Sequence, residues 1–237
     1  MTISLIAMIY KSTSYLKFTI DMLNKYGISS KYKINKLIIG NDPTSSVINF
    51  LKKDCPIPYL IYHDKNPTDY YMNRVYRGWN FGGKNANGDI IIFLNSDFAY
   101  TPNWLDNLMS HYHDNQLPCS KLVESGKLPS GQHAISRNFG RTPSEFLIHE
   151  EEFISYSNSI IVYGGALNGG LFMPCVISKD IFIKSGGYPE GNVKLSNGSI
   201  QSGDDFYFKR LKKEYGLKHI TALDSIVYHF QEGEKDE

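Results

Sequence analysis

The sequence predicts an α/β fold in which a mostly parallel sheet is flanked by helices, in a single domain that spans residues 1–237. Three observations support this prediction. Short apolar runs alternate with segments of helical spacing through the first hundred residues. The runs are apolar throughout, which is typical of parallel strands covered on both faces. Three of the first four runs are followed within three residues by a carboxylate, at the sheet edge where open α/β sheets bind ligands.

The first half of the chain divides into elements in a regular order. The predicted strands are residues 3–9, 36–40, 58–63 and 89–94. The predicted helices are residues 14–26, 44–53, 69–86 and 101–114. Ser12 or Ser14 is placed to cap the first helix and Gly27 to end it. Thr101 followed by Pro102 is typical of a helix start.

The second half is less regular. Residues 115–165 are polar and rich in Pro and Gly, which predicts irregular structure and a mobile loop. Residues 164–191 contain an apolar strand, then a short helix at about 178–185 and a Gly-Gly stop. Residues 203–216 predict a helix that begins with two aspartates, and residues 219–230 predict a final strand.

Composition narrows the class of protein. Of 237 residues, 41% are hydrophobic and 21% are charged, so the chain can bury a core without disulfides. The formal net charge of +1 gives no overall attraction to nucleic acid or to an anionic membrane. Three widely spaced cysteines disfavour a disulfide framework or a zinc site and favour a reducing compartment, which predicts a cytoplasmic protein. No segment approaches the ~20 apolar residues of a membrane helix, and the first residues predict a strand rather than a signal peptide.

Four motifs follow one another in the chain: "IIGNDPT" (38–44), "NFGGKNANGDIIIFLNSDF" (80–98), "GGYPEGN" with "GDDFYFKRLKKEYG" (186–192 and 203–216), and "VYHF" (227–230). In this order they resemble the GT-A glycosyltransferases, especially the inverting family 2, with some similarity to the C-terminal segment of galactosyltransferases. The resemblance implies a nucleotide-binding half, 1–115, and an acceptor-binding half, 116–237.

The resemblance also implies a mechanism. A nucleotide-sugar diphosphate would be bound through Mn²⁺ or Mg²⁺, hard cations that prefer oxygen ligands. Asp97 and His229 correspond to metal ligands. Asp205 corresponds to the general base that takes the proton from the acceptor hydroxyl, and Asp204 would orient the acceptor.

The remaining predicted site residues bind the nucleotide-sugar, and by resemblance they are Asp42, Tyr10, Asn95, Asn80, Gly169 and Gly170. Asp42 would hydrogen-bond the nucleobase and Tyr10 would stack on it. Asn95 stands where the family has an aspartate, so the site has one carboxylate fewer. Gly169 and Gly170 would let the backbone approach the donor sugar.

Plain structural roles stay open for several of these residues. Asn95 and Asp97 can form a turn after a strand, and Asp42 can form one before Pro43. Asp204 and Asp205 also suit the first turn of a helix, whatever their function. The acidic "HEEEF" stretch (149–153) is expected to be a solvated surface, because it lacks the second histidine of a zinc motif. Arg74, Arg77 and Lys84 fit either phosphate contacts or an exposed helix face.

The leading hypothesis is therefore a metal-dependent, inverting glycosyltransferase. UDP-glucose and UDP-galactose are the expected donors from family frequency, and the acceptor is a glycan, a protein, a small molecule or a modified nucleic acid base. The lysine-rich start and the AT-rich codon usage also suit a virus-encoded enzyme. The alternative is a GT-A-like module that binds but does not catalyse, which Asn41 and Asn95 favour. A nucleotidyltransferase would need a glycine-rich loop after the first strand, and "IYKSTS" (9–14) has none.

Overall fold

The structure is a computed structural model that describes residues 1–231 and 233–235. Its helices and strands over these residues are, in chain order, β1 (Thr2–Ile9), α1 (Thr13–Tyr26), β2 (Lys33–Asn41), α2 (Ser45–Asp54), β3 (Tyr59–Tyr62), α3 (Tyr71–Asn85), β4 (Ile90–Asn95), β5 (Phe98–Tyr100), α4 (Trp104–Ser110), β6 (Gln116–Glu124), β7 (Ile135–Ser136), α5 (Pro143–Ile160), β8 (Ala166–Asn168), β9 (Val176–Ser178), α6 (Lys179–Lys184), β10 (Val193–Lys194), β11 (Ile200–Gln201), α7 (Gly203–Tyr215) and β12 (Lys218–His229). The predicted α/β single-domain fold is confirmed, while its division at residue 115 stays a prediction. Among the described residues, no helix combines the length and the apolar character that crossing a bilayer requires.

The first sheet has the strand order β3-β2-β1-β4-β9. β1 to β4 run parallel, and β9 pairs antiparallel with β4. β1 is buried from Ile3 to Ile9, as expected for a strand covered on both faces. The register places Met8 beside Ile39 on one side and Asn95 on the other. The carboxyl ends of β1, β2 and β4 therefore meet at one edge, as the sequence predicts.

The second sheet has the strand order β5-β12-β6-β7, and β8 also pairs with β12. β12 runs parallel to β6 and antiparallel to β5, with a register shift between Ala222 and Ile226. These pairings set His229 beside Phe98 on β5 and beside Glu124 on β6. Because Asp97 precedes Phe98, the register of β12 brings His229 between two carboxylates. The sequence predicted β12 as a strand, but it did not predict that β12 belongs to a second sheet.

The glycines of α3 let this helix lie close to the first sheet. A Cβ atom on Gly82 would lie 3.0 Å from the side chain of Ile6 and 3.1 Å from that of Ile39. A Cβ atom on Gly78 would lie 2.8 Å from the side-chain oxygen of Asn41. Gly78 and Gly82 thus lie on the face of α3 that packs on β1 and β2.

The prediction of irregular structure for 115–165 is wrong, because β6 and the 18-residue helix α5 lie there. At the start of α5 the Thr142 hydroxyl accepts a hydrogen bond from the Glu145 backbone, and the Glu145 carboxylate accepts one from the Arg141 backbone. Phe146 and Phe153 are fully buried on this helix and contact Tyr228. The rest of α5 is mostly exposed, so its apolar periodicity was too sparse to predict a helix.

Helix ends show which capping predictions hold. Ser12 caps α1 by accepting a hydrogen bond from the Tyr15 backbone, and Gly27 ends the helix, as predicted. α4 begins at Trp104 rather than at Pro102, so the predicted start is wrong. The Thr101 hydroxyl donates to the Ile226 carbonyl at 2.9 Å, which ties the turn to β12 instead of capping a helix.

Candidate active site

A cleft of about 600 Å³ opens at the carboxyl edge of β1, β2 and β4, within the usual size range of small-molecule sites. α3 forms one wall, and the end of β12 with the residues after it forms the other. The polar and charged residues that line it are Lys11, Asn41, Arg74, Asn95, Ser96, Asp97, His229, Gln231 and Glu234. A groove of about 730 Å³ at the opposite edge is lined by Lys36 and neutral residues, so the acid–base chemistry is concentrated in the cleft.

Asp97, His229 and Glu124 form a charged row in which both carboxylates are buried, while Asp97 and the partly exposed His229 line the cleft. His229 Nε2 lies 3.2 Å from Asp97 Oδ2, and His229 Nδ1 lies 3.2 Å from Glu124 Oε1. Burial alone would lower the pKa of His229, but the charges of Asp97 and Glu124 outweigh it and raise this pKa to about 9. Burial likewise opposes ionisation of Asp97, yet His229 holds the pKa of that carboxyl below its usual range. At neutral pH His229 is thus an imidazolium that lies between the carboxylates of Asp97 and Glu124.

The side chains of Asp97 and His229 would fit a hard divalent cation that takes its other ligands from water or a ligand phosphate. Among the described residues, no group of three or more His, Cys, Asp or Glu side chains is arranged to hold a metal ion. Asp97 Oδ2 and His229 Nε2 lie side by side and line the cleft. A Mg²⁺- or Mn²⁺-type ion that keeps phosphate and water ligands can be held by two protein ligands, provided that His229 gives up its proton. Asn95, which also lines the cleft, adds a neutral oxygen rather than a carboxylate.

Tyr10 and Arg74 line the cleft at the ends of β1 and α3. The guanidinium carbon of Arg74 lies 5.6 Å from the centre of the Tyr10 ring. Asp42, at a φ of 49°, pairs with Arg74 at 3.4 Å and accepts a hydrogen bond from the Asp64 backbone at 2.8 Å. Asp42 therefore holds Arg74 on the side away from the cleft, while Tyr10 and Arg74 face the open space.

Three buried side-chain polar atoms of residues on the cleft wall have no hydrogen-bond partner among the described residues. They are Oδ1 of Asn41, Nε of Arg74 and Nε1 of Trp79. Buried polar atoms are normally satisfied, so a ligand could pair with these atoms only if the side chains around them moved to expose them. Asn41 and Trp79 both belong to the lining.

Asp204 and Asp205 start α7 outside the residues that line the cleft. Oδ2 of Asp205 accepts hydrogen bonds from Gln201 at 2.7 Å and from Lys209 at 2.8 Å. Burial acts to raise the pKa of Asp205, but the bonds from Lys209 and Gln201 lower it overall. The Asp204 backbone donates to the Tyr76 hydroxyl at 3.2 Å, and the Tyr76 ring lies 5.9 Å from Trp79 on the cleft wall.

Three other predicted donor residues have structural contacts. Asn80 donates to the Tyr188 carbonyl and accepts from the Tyr188 backbone, both at 2.8 Å, so it holds the 187–188 turn on α3. The Gly169 carbonyl accepts a hydrogen bond from Thr221 at 2.6 Å. Gly170, at a φ of 126°, would place a Cβ atom against the Thr221 hydroxyl. None of the three lines the described cleft, so their contact with the donor stays a prediction.

Sequence reasoning missed Glu124, Trp79 and Glu234. Glu124 ends a strand in the same way as Asp97, but its strand lies in the segment predicted to be irregular. Trp79 lies on α3, and the glycines of this helix made its buried face difficult to recognise in the sequence. Glu234 lies in the acidic stretch "EGEKDE" (232–237), which has the composition of a solvated tail. A search for carboxylates at every strand end would have found the first of these.

A parallel sheet with a polar cleft at its carboxyl edge, closed by a second mixed sheet that supplies a histidine, is the arrangement of a GT-A glycosyltransferase. The chain belongs to glycosyl transferase family 2, because the model of that family matches residues 4–123. No curated protein sequence matches the chain.

Solved structures show the same fold at low sequence identity. TarS residues 1–349 from S. aureus is 11% identical with a TM-score of 0.57, over 97% of this chain and 60% of that one. GalNAc-T7 with UDP, GalNAc and Mn²⁺ is 15% identical with a TM-score of 0.59, over 96% of this chain and 43% of that one. A longer structure of S. aureus TarS is 12% identical with a TM-score of 0.59, over 97% and 36%. The chain thus spans less than two thirds of each of these proteins.

Proposed function

We propose that the protein transfers a sugar from a nucleotide-sugar donor to an acceptor hydroxyl, in a metal-dependent reaction that inverts the anomeric centre. The observation that carries the proposal is the Asp97–His229 pair on the floor of a 600 Å³ cleft at the carboxyl edge of the sheet. Membership of glycosyl transferase family 2 supports the reaction class. The Mn²⁺ and UDP in GalNAc-T7, a protein of the same fold, support a divalent cation and a UDP-sugar, with UDP-glucose and UDP-galactose as first candidates.

In this proposal the cleft binds the donor from its nucleobase to its sugar. Tyr10 stacks on the base, and Arg74, held by Asp42, donates to it or to the ribose. Asn41 and Trp79 line the cleft beside the donor. Asp97 and His229 hold the cation, with Asn95 beside them. The cation, when bound, neutralises the charge that develops on the departing nucleoside diphosphate.

Asp205 is the proposed general base. Its lowered pKa keeps the carboxylate ionised at neutral pH, so one oxygen can accept a proton while Lys209 and Gln201 fix the other. As the acceptor oxygen bonds to the anomeric carbon, its proton passes to Asp205 and the bond from that carbon to the diphosphate oxygen breaks. Asp204 lies on the Tyr76 side and orients the acceptor.

Thermal unfolding with nucleotide sugars tests the proposal directly. UDP-glucose, UDP-galactose and GDP-mannose are each added with and without Mn²⁺. A donor at 100 times its dissociation constant stabilises the native state by about 2.7 kcal/mol, or roughly 5–10 °C for a chain of this size. Asp97→Ala should abolish the shift that depends on Mn²⁺, whereas Asp21→Ala, on an exposed position of α1, should keep it. Absence of any shift in the wild type across the panel contradicts the proposal.

A second candidate is a GT-A module that binds nucleotide sugars without transferring them. Asn95, where the family has an aspartate, favours it, because the cation loses a carboxylate ligand. The two candidates differ in turnover. The enzyme releases nucleoside diphosphate from the donor that stabilises it, slowly when water takes the sugar and faster when an acceptor takes it. Stabilisation without release under any condition supports the module.

A further inference from the structure

The chain after β12 returns to the end of β1 and places a carboxylate there. Glu234 Oε1 accepts hydrogen bonds from the Tyr10 backbone at 2.7 Å and from the Ser96 hydroxyl at 2.9 Å. Its Oε2 accepts from the backbones of Lys11 at 2.6 Å and Ser12 at 2.7 Å. Three successive backbone N–H groups and a hydroxyl therefore converge on one side chain.

The three N–H groups and the hydroxyl together form an anion-binding site, and the carboxylate of Glu234 from the same chain occupies it. Successive N–H groups in a turn make a concavity suited to an anion, and the start of the 14-residue helix α1 adds its positive end. Each oxygen of Glu234 has two donors, which uses the lone pairs that a carboxylate offers. Glu234 is therefore held as an anchor, and its oxygens are not free to bind a cation.

The same segment also contacts the predicted cation ligand. The Phe230 backbone donates to the Asp97 carbonyl at 3.1 Å, and the Gly233 backbone donates to Asp97 Oδ2 at 3.2 Å. Oδ2 is the atom that faces His229. On the other side, Gln231 is 8% exposed and bonds the backbone of Leu128 through both of its side-chain polar atoms.

The segment forms a wall of the cleft and leaves the space beside it open. Gln231, Gly233 and Glu234 all line the cleft, whose 600 Å³ remain with these residues in place. That volume suits a small-molecule ligand. The contacts join the end of β1 to the end of β4, the two strand ends between which the donor is proposed to bind.

We propose that Glu234 is a positioning residue that fastens residues 233–234 along one wall of the donor cleft and thereby orients Asp97 toward the cation and the donor diphosphate. This inference rests on the proposed function for the identity of the ligand. It assigns to the acidic tail a part in donor binding that neither the family match nor the motifs assign. Asp97 acts on the ligand, and Glu234 acts through Asp97.

Nucleotide affinity of Glu234→Gln is the primary test, measured by calorimetry with UDP and with GDP in the presence of MnCl₂. Glutamine keeps the size of the side chain but presents an NH₂ group to N–H donors, so at least two of the four hydrogen bonds are lost. The Kd of the nucleotide that binds the wild type should rise about tenfold or more. Ser96→Ala, which removes one hydrogen bond and keeps the charge, should raise it less. Glu214→Gln, an exposed change on α7, should leave it unchanged.

Hydrogen exchange of the apo protein tests the anchor independently of any ligand. In Glu234→Gln the backbone amides of Tyr10, Lys11 and Ser12 should exchange faster than in the wild type. With a donor, KM should rise more than kcat falls. If the wild type binds no nucleotide, the proposed function fails, and the exchange data still decide on the anchor. If Glu234→Gln binds nucleotide as tightly as the wild type, the anchor role is wrong; tighter binding would show that the segment competes with the donor.

Discussion

The two acidic groups of the proposed site are built in different ways. Asp97 is buried, and it faces His229 because β5 and β12 pair across the sheet. Asp205 is one third exposed and has its partners within four residues on either side, Gln201 and Lys209. The first group depends on long-range pairing and the second on a local helix start. Changes at the buried row should therefore affect stability together with binding, whereas changes at Asp205 should affect turnover alone.

The largest expected effect is on turnover at the exposed group. Asp205→Asn keeps the shape of the side chain but removes the base, so transfer should fall by about 10²–10⁴-fold. Donor affinity and stability should stay close to those of the wild type. Steady-state kinetics and calorimetry check the two halves of this statement. Asp180→Asn is the matched control, because Asp180 also lies in the first turn of a helix and pairs with Lys184, four residues on.

The next effect is on stability at the buried row. Glu124→Ala leaves Nδ1 of the His229 imidazolium and the backbone N–H of Gly131 without an acceptor. Removal of one partner from a buried charged pair costs about 3–5 kcal/mol, which urea denaturation measures. Glu151→Ala, on the exposed face of α5, should change stability by less than ~0.5 kcal/mol. Equal losses in the two variants would show that the row does not contribute to stability.

A smaller effect is expected on the pH dependence of stability. Burial between Phe172 and Phe208 lowers the pKa of His219 to about 4, which outweighs its bond to Leu171 and the charge of Asp205. The unfolded state then binds more protons, so stability should decrease as the pH falls from about 6.5 to about 4, by about 2–3 kcal/mol. Acid unfolding of wild type and His219→Phe checks this. The variant should lose that part of the slope; an unchanged slope assigns it to other groups.

The smallest effect is expected at Lys209. The side chain of Lys209 is 68% exposed, so its ion pair with Asp205 should contribute less than ~0.5 kcal/mol to stability. Without it, Asp205 loses a cause of its lowered pKa, and the acidic limb of the pH–kcat profile should move to higher pH. Lys209→Ala and the control Lys184→Ala are compared by pH-dependent kinetics. An acidic limb that stays in place argues that Asp205 is not the base.

Local patterns in the sequence predicted the first sheet well. Apolar runs, a capping serine and a terminal glycine are signals within a few residues, and β1, α1 and β4 all lie where these signals put them. Asp97 was predicted for the same reason, since it follows directly on a buried strand. The family resemblance gave its chemical role, which the local pattern alone leaves open.

Sequence reasoning failed where a contact depends on distant residues. α5 is a helix with few buried residues, and its buried aromatic side chains pack against α1 and β12, which lie far from it along the chain. Glu124 faces His229 only because β6 and β12 pair, and no local signal sets that register. In the sequence Glu234 has the appearance of a solvated acid. Only the structure shows that backbone N–H groups in the turn after β1 donate hydrogen bonds to it.

The register of β12 also sets when the site can form during synthesis. His229 follows Asp97 by more than half the length of the chain, and it reaches Asp97 only after β12 has paired with β5 and β6. A nascent chain that has emerged through β6 therefore has its first four parallel strands but an unpaired β6 edge. Contacts of such high sequence separation form slowly, and unpaired strand edges invite aggregation. Folding to a binding-competent state should thus be limited by the arrival of β12, which makes it the step at which a chaperone would help most.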